Sequence, residues 1–235
     1  KEASAQDLQY RSMLNKVKQL SVISGGRKVG DYNVDRVAFG NIMGCSNSFN
    51  FISSANKQSS AFIPDQFLLS GTFRELNKFV KIRSVSPGIT AALQDEARKK
   101  LRSIKATNPN NINMSSLKTK LLQAYDTNAD QTPDLFIMAV DARLFKSVKT
   151  EAILEEADTL DLFMILTFDG SRYHVLYASE PLYNNASLIG AADIDGDGNM
   201  EIIITTGIYE AWQFEIWRVE NCGFRKVYSG TGYGC

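Results

Sequence analysis

The sequence is poor in the residues that most catalytic and zinc sites use. Its 235 residues include one histidine, His174, and three cysteines, none of them in a C-x-x-C pair. A structural zinc site usually takes four cysteine or histidine ligands, and a hydrolase needs a nucleophile beside a general base. No G-x-S-x-G elbow, phosphate-binding glycine loop or dinucleotide fingerprint occurs in the sequence. We therefore expect a protein that is not an enzyme.

The sequence also lacks an excess of charge of either sign and a long apolar run. Lys and Arg total 26, as do Asp and Glu, so the formal net charge is zero. A nucleic-acid partner favours a clustered basic surface, whereas the densest basic group, within residues 98–102, has the spacing of one solvated helix face. Crossing a bilayer takes about 20 consecutive apolar residues. We expect no nucleic-acid partner and no transmembrane segment.

The distribution of apolar residues predicts an α+β fold. Helical spacing occurs in four segments, which are residues 4–24, 86–104, 115–122 and 147–158. Short apolar runs typical of strands lie between residues 37 and 82 and, in greater number, over residues 160–228. We expect a mixed, partly helical N-terminal region over residues 1–119 and a β-rich region over residues 120–235, with one compact domain as the alternative.

One acidic segment combines alternating carboxylates with glycine. Residues 193–201, here called the Asp193 loop, read D-I-D-G-D-G-N-M-E. Calcium takes six to eight oxygen ligands, and alternate residues reach one ion only if the backbone curls, which glycine permits because it readily adopts positive φ. The alternative is an acidic surface turn. The predicted calcium ligands are Asp193, Asp195, Asp197, Asn199 (through its carbonyl) and Glu201.

A second segment repeats this arrangement. Residues 126–134, here called the Asp126 loop, read D-T-N-A-D-Q-T-P-D and lead into an apolar strand, as the Asp193 loop does. Alanine and glutamine stand where the Asp193 loop has glycine, so we expect the weaker calcium site here. The predicted ligands are Asp126, Asn128, Asp130, Thr132 and Asp134.

The residues after each loop distinguish it from an EF-hand, which needs flanking helices and a bidentate Glu at position twelve. Position twelve of the Asp193 loop is Ile204, within an apolar strand. An acidic ninth residue before a strand resembles the FG-GAP or VCBS calcium loops of integrin-like propellers and bacterial exported proteins. The resemblance covers about residues 120–235 and implies calcium bound within a hairpin. Two loops are too few for a complete propeller, which has at least four blades, so we expect calcium-loop hairpins in a β-rich C-terminal half.

The C-terminal cysteines bear on the cellular compartment. Cys222 and Cys235 flank a short glycine-rich tail, where we expect a disulfide, with three reduced thiols as the alternative. Disulfides persist in oxidising compartments. The expected location is therefore periplasmic or extracellular.

These features predict a calcium-binding exported protein that recognises a macromolecule, either a protein or a glycan. Aromatic side chains dominate many interfaces, so the candidate contact residues are Tyr209, Trp212 and Trp217. For Trp217 the alternative is core packing or a cross-strand pair. The second hypothesis is an inhibitor or immunity-type protein that neutralises a secreted hydrolase. A calcium-dependent hydrolase is the least favoured reading.

Overall fold

The described part of the chain consists mainly of antiparallel strands. The computed structural model describes residues 16–24, 27–42, 46–52, 66–69, 80–104, 108–148, 157–181, 185–208, 211–220, 223–230 and 233–234. The first strands are β1 (Gln19–Ser24), β2 (Arg27–Asn33), β3 (Arg36–Ile42), β4 (Ser46–Ile52), β5 (Gln66–Leu69) and β6 (Val80–Ile82). The later strands are β7 (Ile112–Asp126), β8 (Leu135–Val148), β9 (Ala157–Phe168), β10 (Tyr173–Ala178), β11 (Asn185–Ala192), β12 (Met200–Ile208), β13 (Ala211–Glu220), β14 (Gly223–Ser229) and β15 (Tyr233–Gly234). The helices are α1 (Pro87–Arg102) and a short 3-10 turn (Pro109–Asn111).

These strands form four sheets within the described residues. Sheet 1 has the order β2-β1-β5, and sheet 2 is the hairpin β3-β4. Sheet 3 has the order β10-β9-β8-β7-β6. Sheet 4 has the order β11-β12-β13-β14, and β15 also pairs with β13. Sheets 3 and 4 share a hydrophobic cluster and carry the two acidic loops.

Sheet 3 is covered on both faces. Along β8, Leu135 and Ile137 belong to the cluster shared with sheet 4, whereas Phe136 and Met138 belong to the cluster under α1. Each of the four is at most 1% exposed. Alternate residues of a strand point to opposite faces, so a doubly covered strand needs an unbroken apolar run. The layers are therefore α1, sheet 3 and sheet 4.

The helix predicted from residue 86 onward is confirmed as α1. Ser86 caps it by accepting the amide of Ile89 at 3.3 Å, and Pro87 occupies its first turn. The buried stripe that faces sheet 3 repeats once per turn and consists of Leu93, Ala97 and Leu101. No helix in the described part of the chain has the length and apolar character that a membrane crossing requires.

The expected α+β fold with a partly helical N-terminal region is wrong for the described residues. The described parts of residues 16–82 are strands and connections, and α1 is the one α-helix of the described chain. Leu20, within the segment 4–24 that has helical spacing, lies in β1 between β2 and β5 and is 3% exposed. Residues 1–15 lie outside the described residues. Pairing with strands distant in sequence outweighs local helical spacing here.

One more predicted helix is wrong. Residues 115–122 belong to β7, where Leu121 packs toward sheet 4 and Leu122 toward α1. Because both faces of sheet 3 are buried, adjacent leucines suit a strand and also imitate helical spacing. The helix predicted over residues 147–158 falls mostly on residues 149–156, which lie outside the described residues. Its two ends, residues 147–148 and 157–158, belong to β8 and β9.

Strand β7 crosses the boundary expected between residues 119 and 120. It runs without interruption from Ile112 to Asp126 and pairs with β6 and β8. Residues of α1 and of β7–β9 belong to one hydrophobic cluster. The expected boundary therefore falls inside one strand of sheet 3.

Candidate metal centre

The two acidic loops occupy corresponding places in sheets 3 and 4. The Asp126 loop joins β7 to β8, whose register pairs Tyr125 with Leu135. The Asp193 loop joins β11 to β12, whose register pairs Ala192 with Glu201. Each loop is therefore a connection between two neighbouring antiparallel strands.

Asp193 organises the first half of its loop with both carboxylate oxygens. Its Oδ1 accepts the amide of Gly196 at 2.6 Å, and its Oδ2 accepts the amide of Gly198 at 2.8 Å. Asp193 itself is 2% exposed. Gly196 and Gly198 have φ angles of 79° and 93°, which residues with a Cβ adopt only at a cost. These glycines permit the curl that brings two amides to one carboxylate.

The later carboxylates of the Asp193 loop each hold an amide with one oxygen. Asp195 Oδ1 accepts the amide of Asp197 at 3.2 Å, and Asp197 Oδ1 accepts the amide of Asn199 at 2.8 Å. Glu201 closes the loop, because its Oε2 accepts the amide of Ile194 at 2.8 Å. Each of these carboxylates has its second oxygen available for a different partner.

The Asp126 loop begins with the same pattern. Asp126, which is 2% exposed, accepts the amides of Ala129 at 2.7 Å and Gln131 at 2.8 Å. Ala129 and Gln131 have φ angles of 64° and 70°, and they are the only described residues other than glycine with positive φ. The backbone curl is therefore the same although neither position is glycine.

The second half of the Asp126 loop matches as well. Asn128 Oδ1 accepts the amide of Asp130 at 2.9 Å, and Asp130 Oδ1 accepts the amide of Thr132 at 2.7 Å. Asp134, in ninth position, accepts the amide of Thr127 at 3.0 Å, as the ninth residue of the Asp193 loop does for its second residue. The two loops are thus copies of one structural unit.

The carboxylates of the Asp193 loop lie close enough together to hold a metal ion. One ligand atom from each of Asp193, Asp195 and Asp197 lies within 4.8 Å of the other two. Burial raises the pKa of Glu201 above its ordinary value, whereas the hydrogen bond from the amide of Asn199 lowers the pKa of Asp197. A bound cation would favour the charged form of such crowded carboxylates. In the Asp126 loop, burial likewise raises the pKa of its ninth residue.

A basic residue that sequence reasoning missed contacts the Asp193 loop. Arg218 lies on β13, opposite Glu201 in the β12–β13 register. Its Nε donates to Glu201 Oε1 at 2.8 Å, its Nη1 lies 2.8 Å from Asp197 Oδ2, and its Nη2 contacts Asp195 Oδ2. The hydrogen bond to Glu201 is the largest cause that raises the pKa of Arg218. Only the pairing of β12 with β13 could have indicated this contact in advance.

Phe168 takes the corresponding place beside the Asp126 loop. Leu135 pairs with Thr167 in the β8–β9 register, so the residue opposite Asp134 is Phe168, whose amide donates to the Asp134 carbonyl at 2.8 Å. The Asp134 carboxylate has a neutral partner instead, because the hydroxyl of Thr127 donates to its Oδ2 at 2.8 Å. The two loops therefore differ in the charge of their neighbours.

An open cleft of about 770 Å³ lies between the two loops. Its lining includes Asp130 and Asp134 of the Asp126 loop, Gly198 and Asn199 of the Asp193 loop, and Phe168. Both loops thus border one cavity. Its lining is a mixture of carboxylate, amide and apolar groups.

His174 lies in the β9–β10 hairpin, whose Asp169 and Gly170 line this cleft. Its Nε2 lies 2.6 Å from Asp169 Oδ2 and 3.3 Å from Arg172 Nε, and the bond with His174 is the largest cause that lowers the pKa of Asp169. Ser171 donates its hydroxyl to Asp169 at 2.7 Å, whereas a Ser-His-Asp triad needs the hydroxyl on the imidazole. The group is therefore a turn held by its own side chains.

Among the three predicted contact aromatics, Trp217 packs between sheets 3 and 4. Its ring stacks on Phe224 with centroids 4.7 Å apart and lies 5.4 Å from the ring of Tyr177. This is the core-packing alternative. Tyr209 lies outside the described residues, and of Trp212 the structure describes only the backbone, in β13.

Cys222 and Cys235, expected to form a disulfide, lie outside the described residues, but their neighbours are described. Gly223 pairs with the last residue of β13 and Gly234 with the first. A strand rises about 3.3 Å per residue, which puts the ends of β13 about 30 Å apart. A disulfide needs Cα atoms within about 7 Å. The described neighbours of the two cysteines, Gly223 and Gly234, therefore lie at opposite ends of β13, well beyond that distance.

No protein-family model, curated protein or solved structure matches this chain. The resemblance to FG-GAP and VCBS loops accordingly rests on the two loops and the apolar strands that follow them.

Proposed function

We propose that this protein is a calcium-stabilised binding module, with the ligand held at the end that carries both loops. The observation that supports this most is the agreement between the loops. Both place oxygen-bearing side chains at alternate positions and share the same five side chain–amide bonds. Both also have positive φ at positions four and six. An unrelated pair of acidic turns has no reason to share all of these features.

Calcium suits the donor set better than other common metals. Each loop offers carboxylate, amide, hydroxyl and carbonyl oxygens, and neither contains histidine or cysteine. Zinc prefers nitrogen and sulfur ligands, and magnesium needs a near-ideal octahedron and retains several waters. Calcium accepts six to eight oxygens in flexible geometry. The nine-residue curl offers oxygens of this kind.

Calcium has a structural part in this proposal, with no catalytic step. The loop carboxylates already hold backbone amides, so their protonation in a reaction would loosen the loop itself. The one histidine belongs to a turn in which the neighbouring hydroxyl contacts the aspartate. These features support a module that binds without turnover.

The ligand site in this proposal is the cleft between the loops, and the ligand is a protein segment or a glycan. Calcium at either loop would order one wall of the cleft, which couples ligand binding to calcium. Extracellular modules bind calcium with dissociation constants of about 10⁻⁴ to 10⁻³ M. A periplasmic or extracellular location, where calcium reaches such concentrations, belongs to the same proposal.

Isothermal titration with calcium tests the metal sites directly. We expect two sites in the natural chain and binding of magnesium at least about tenfold weaker. Asp195→Asn and Asp130→Asn alter exposed ligands and spare the buried first residue of each loop, so each should remove one site. Asp95→Asn on α1 is the matched control and should retain both sites. Absence of calcium binding to the natural chain would refute the proposal.

Affinity capture tests the binding role. The natural chain is incubated with envelope or secreted fractions, and in parallel with a glycan array, in calcium and in chelator. We expect a ligand that is retained in calcium and released by chelator, and that the Asp130→Asn variant retains less well. Equal retention in calcium and chelator would show that the loops have no part in recognition.

A further inference from the structure

A positively charged side chain contacts the Asp193 loop, whereas no such contact is present at the Asp126 loop among the described residues. Arg218 contacts the third, fifth and ninth residues of the Asp193 loop, which are Asp195, Asp197 and Glu201. Among the ion pairs of the described residues, none involves a carboxylate of the Asp126 loop. Two copies of one structural unit therefore differ in a single cationic neighbour.

The guanidinium contacts the oxygens that the loop backbone does not use. In Asp195 and Asp197, Oδ1 accepts a loop amide while Oδ2 faces Arg218. In Glu201, Oε2 accepts a loop amide while Oε1 accepts from Arg218. These second oxygens are the ones that the loop amides leave free for a metal ion to coordinate. A guanidinium and a calcium ion therefore compete for the same atoms.

Arg218 has a second carboxylate within reach. Its Nη1 lies 3.9 Å from Oε1 of Glu220, two residues along the same strand. Glu220 also pairs with Arg225 at 2.8 Å, and its side chain is 38% exposed. A small rotation of the Arg218 side chain would exchange the loop carboxylates for this exposed one.

We propose that Arg218 is a built-in competitor of calcium at the Asp193 loop, which lowers the calcium affinity of that loop and turns toward Glu220 when calcium enters. The inference rests on the proposed calcium binding. Arg218 would then help to set the calcium affinity of the Asp193 loop, although it is not one of the calcium ligands. The Asp126 loop, with Phe168 opposite its ninth residue, has no such competitor in the described part of the chain.

The expected size of the effect follows from the charges. Calcium entry must break three charge-assisted contacts of Arg218 and place two positive groups close together. Removing the guanidinium charge removes both penalties. Arg218→Gln should therefore tighten calcium binding at the Asp193 loop by about tenfold or more. Glu220→Gln removes the carboxylate toward which Arg218 turns when calcium enters. It should therefore weaken calcium binding at the Asp193 loop by about two- to threefold.

Amide NMR during a calcium titration separates the two loops. Gly196 and Gly198 report the Asp193 loop, and Ala129 and Gln131 report the Asp126 loop, because these amides bond to the first carboxylate of each. Arg98→Gln on α1, which loses the same charge, is the matched control. We expect Arg218→Gln to lower the calcium midpoint of the two glycine amides and to leave the Asp126 loop unchanged.

The outcomes distinguish this inference from the proposal beneath it. If neither loop of the natural chain responds to millimolar calcium, calcium binding itself is refuted. If both respond but the glycine midpoints in Arg218→Gln equal those of the natural chain and of Arg98→Gln, the competitor is refuted. Should Arg218→Gln fail to fold, Glu220→Gln decides, because it leaves the contacts between Arg218 and the loop in place. An unchanged or tighter Asp193 loop in Glu220→Gln would overturn the inference.

Discussion

Ala129 and Gly196 occupy the fourth position of their loops in the same backbone conformation, with φ angles of 64° and 79°. Each donates its amide to the buried first aspartate of its loop. For a residue with a Cβ this left-handed conformation costs about 1 kcal/mol, whereas glycine adopts it without that cost. The Asp126 loop therefore carries strain that the Asp193 loop avoids.

Glycine at the strained position should stabilise the fold. We expect Ala129→Gly to raise the free energy of unfolding by up to about 1 kcal/mol, because relief of the left-handed strain exceeds the entropy that glycine adds to the unfolded chain. Ala91→Gly on the exposed face of α1 is the matched control. It should lower that free energy by about 1 kcal/mol, since alanine is favoured in a helix. Urea denaturation of both variants measures these changes in the free energy of unfolding. If Ala129→Gly lowers it, the backbone at Ala129 is not strained.

Calcium should raise the melting temperature. With a dissociation constant of about 10⁻⁴ M, calcium at about 1 mM adds roughly 1.4 kcal/mol per occupied site. For a chain of this size, that corresponds to a rise of about 3–6 °C per site. Thermal melts in chelator, calcium and magnesium measure the shift, and magnesium should give a smaller one. A melt that is identical in chelator and in excess calcium would count against metal binding at both loops.

The parts of the site that sequence alone could predict are those formed by neighbours in the chain. The alternating acidic residues and the strand after each loop lie within a few residues of one another, so their pattern survives in the sequence. Arg218 and Phe168 reach the loops through strand register, which depends on pairs distant in the chain. The fold was therefore needed to show that one loop has a cation beside it and the other an uncharged aromatic residue.

The difference between local and long-range information also explains why helix predictions were wrong. Leu121 and Leu122 lie on opposite faces of a sheet that is buried on both sides, and no residue near them in sequence signals the second covering layer. In α1, by contrast, the cap at Ser86 and the stripe from Leu93 to Leu101 are local, and that prediction held. The sequence around Leu121 and Leu122 did not show that residues distant in the chain bury both faces of their strand.

The buried carboxylate of Glu215 should depend on Lys226. The two side chains pair at 2.6 Å, and Glu215 also accepts the indole N–H of Trp217 at 2.8 Å. Lys226→Met leaves a carboxylate in the intersheet core without its cation, which should cost about 1–2 kcal/mol of unfolding free energy. Lys99→Met, which breaks a pair of the same length on the surface of α1, should cost less than about 0.5 kcal/mol. If both variants lose the same unfolding free energy, Glu215 does not depend on Lys226.

The cysteines beside β14 and β15 should not be joined to each other. Gly223 and Gly234 pair with opposite ends of β13, about 30 Å apart by strand rise, and one residue adds at most about 3.8 Å to the reach of each. Alkylation of the native protein without reductant, followed by peptide mapping, should recover Cys222 and Cys235 on separate peptides. A sample reduced and denatured before alkylation controls for labelling efficiency. A peptide that links Cys222 to Cys235 would mean that β15 does not hold its register against β13, and it would restore the sequence argument for an oxidising compartment.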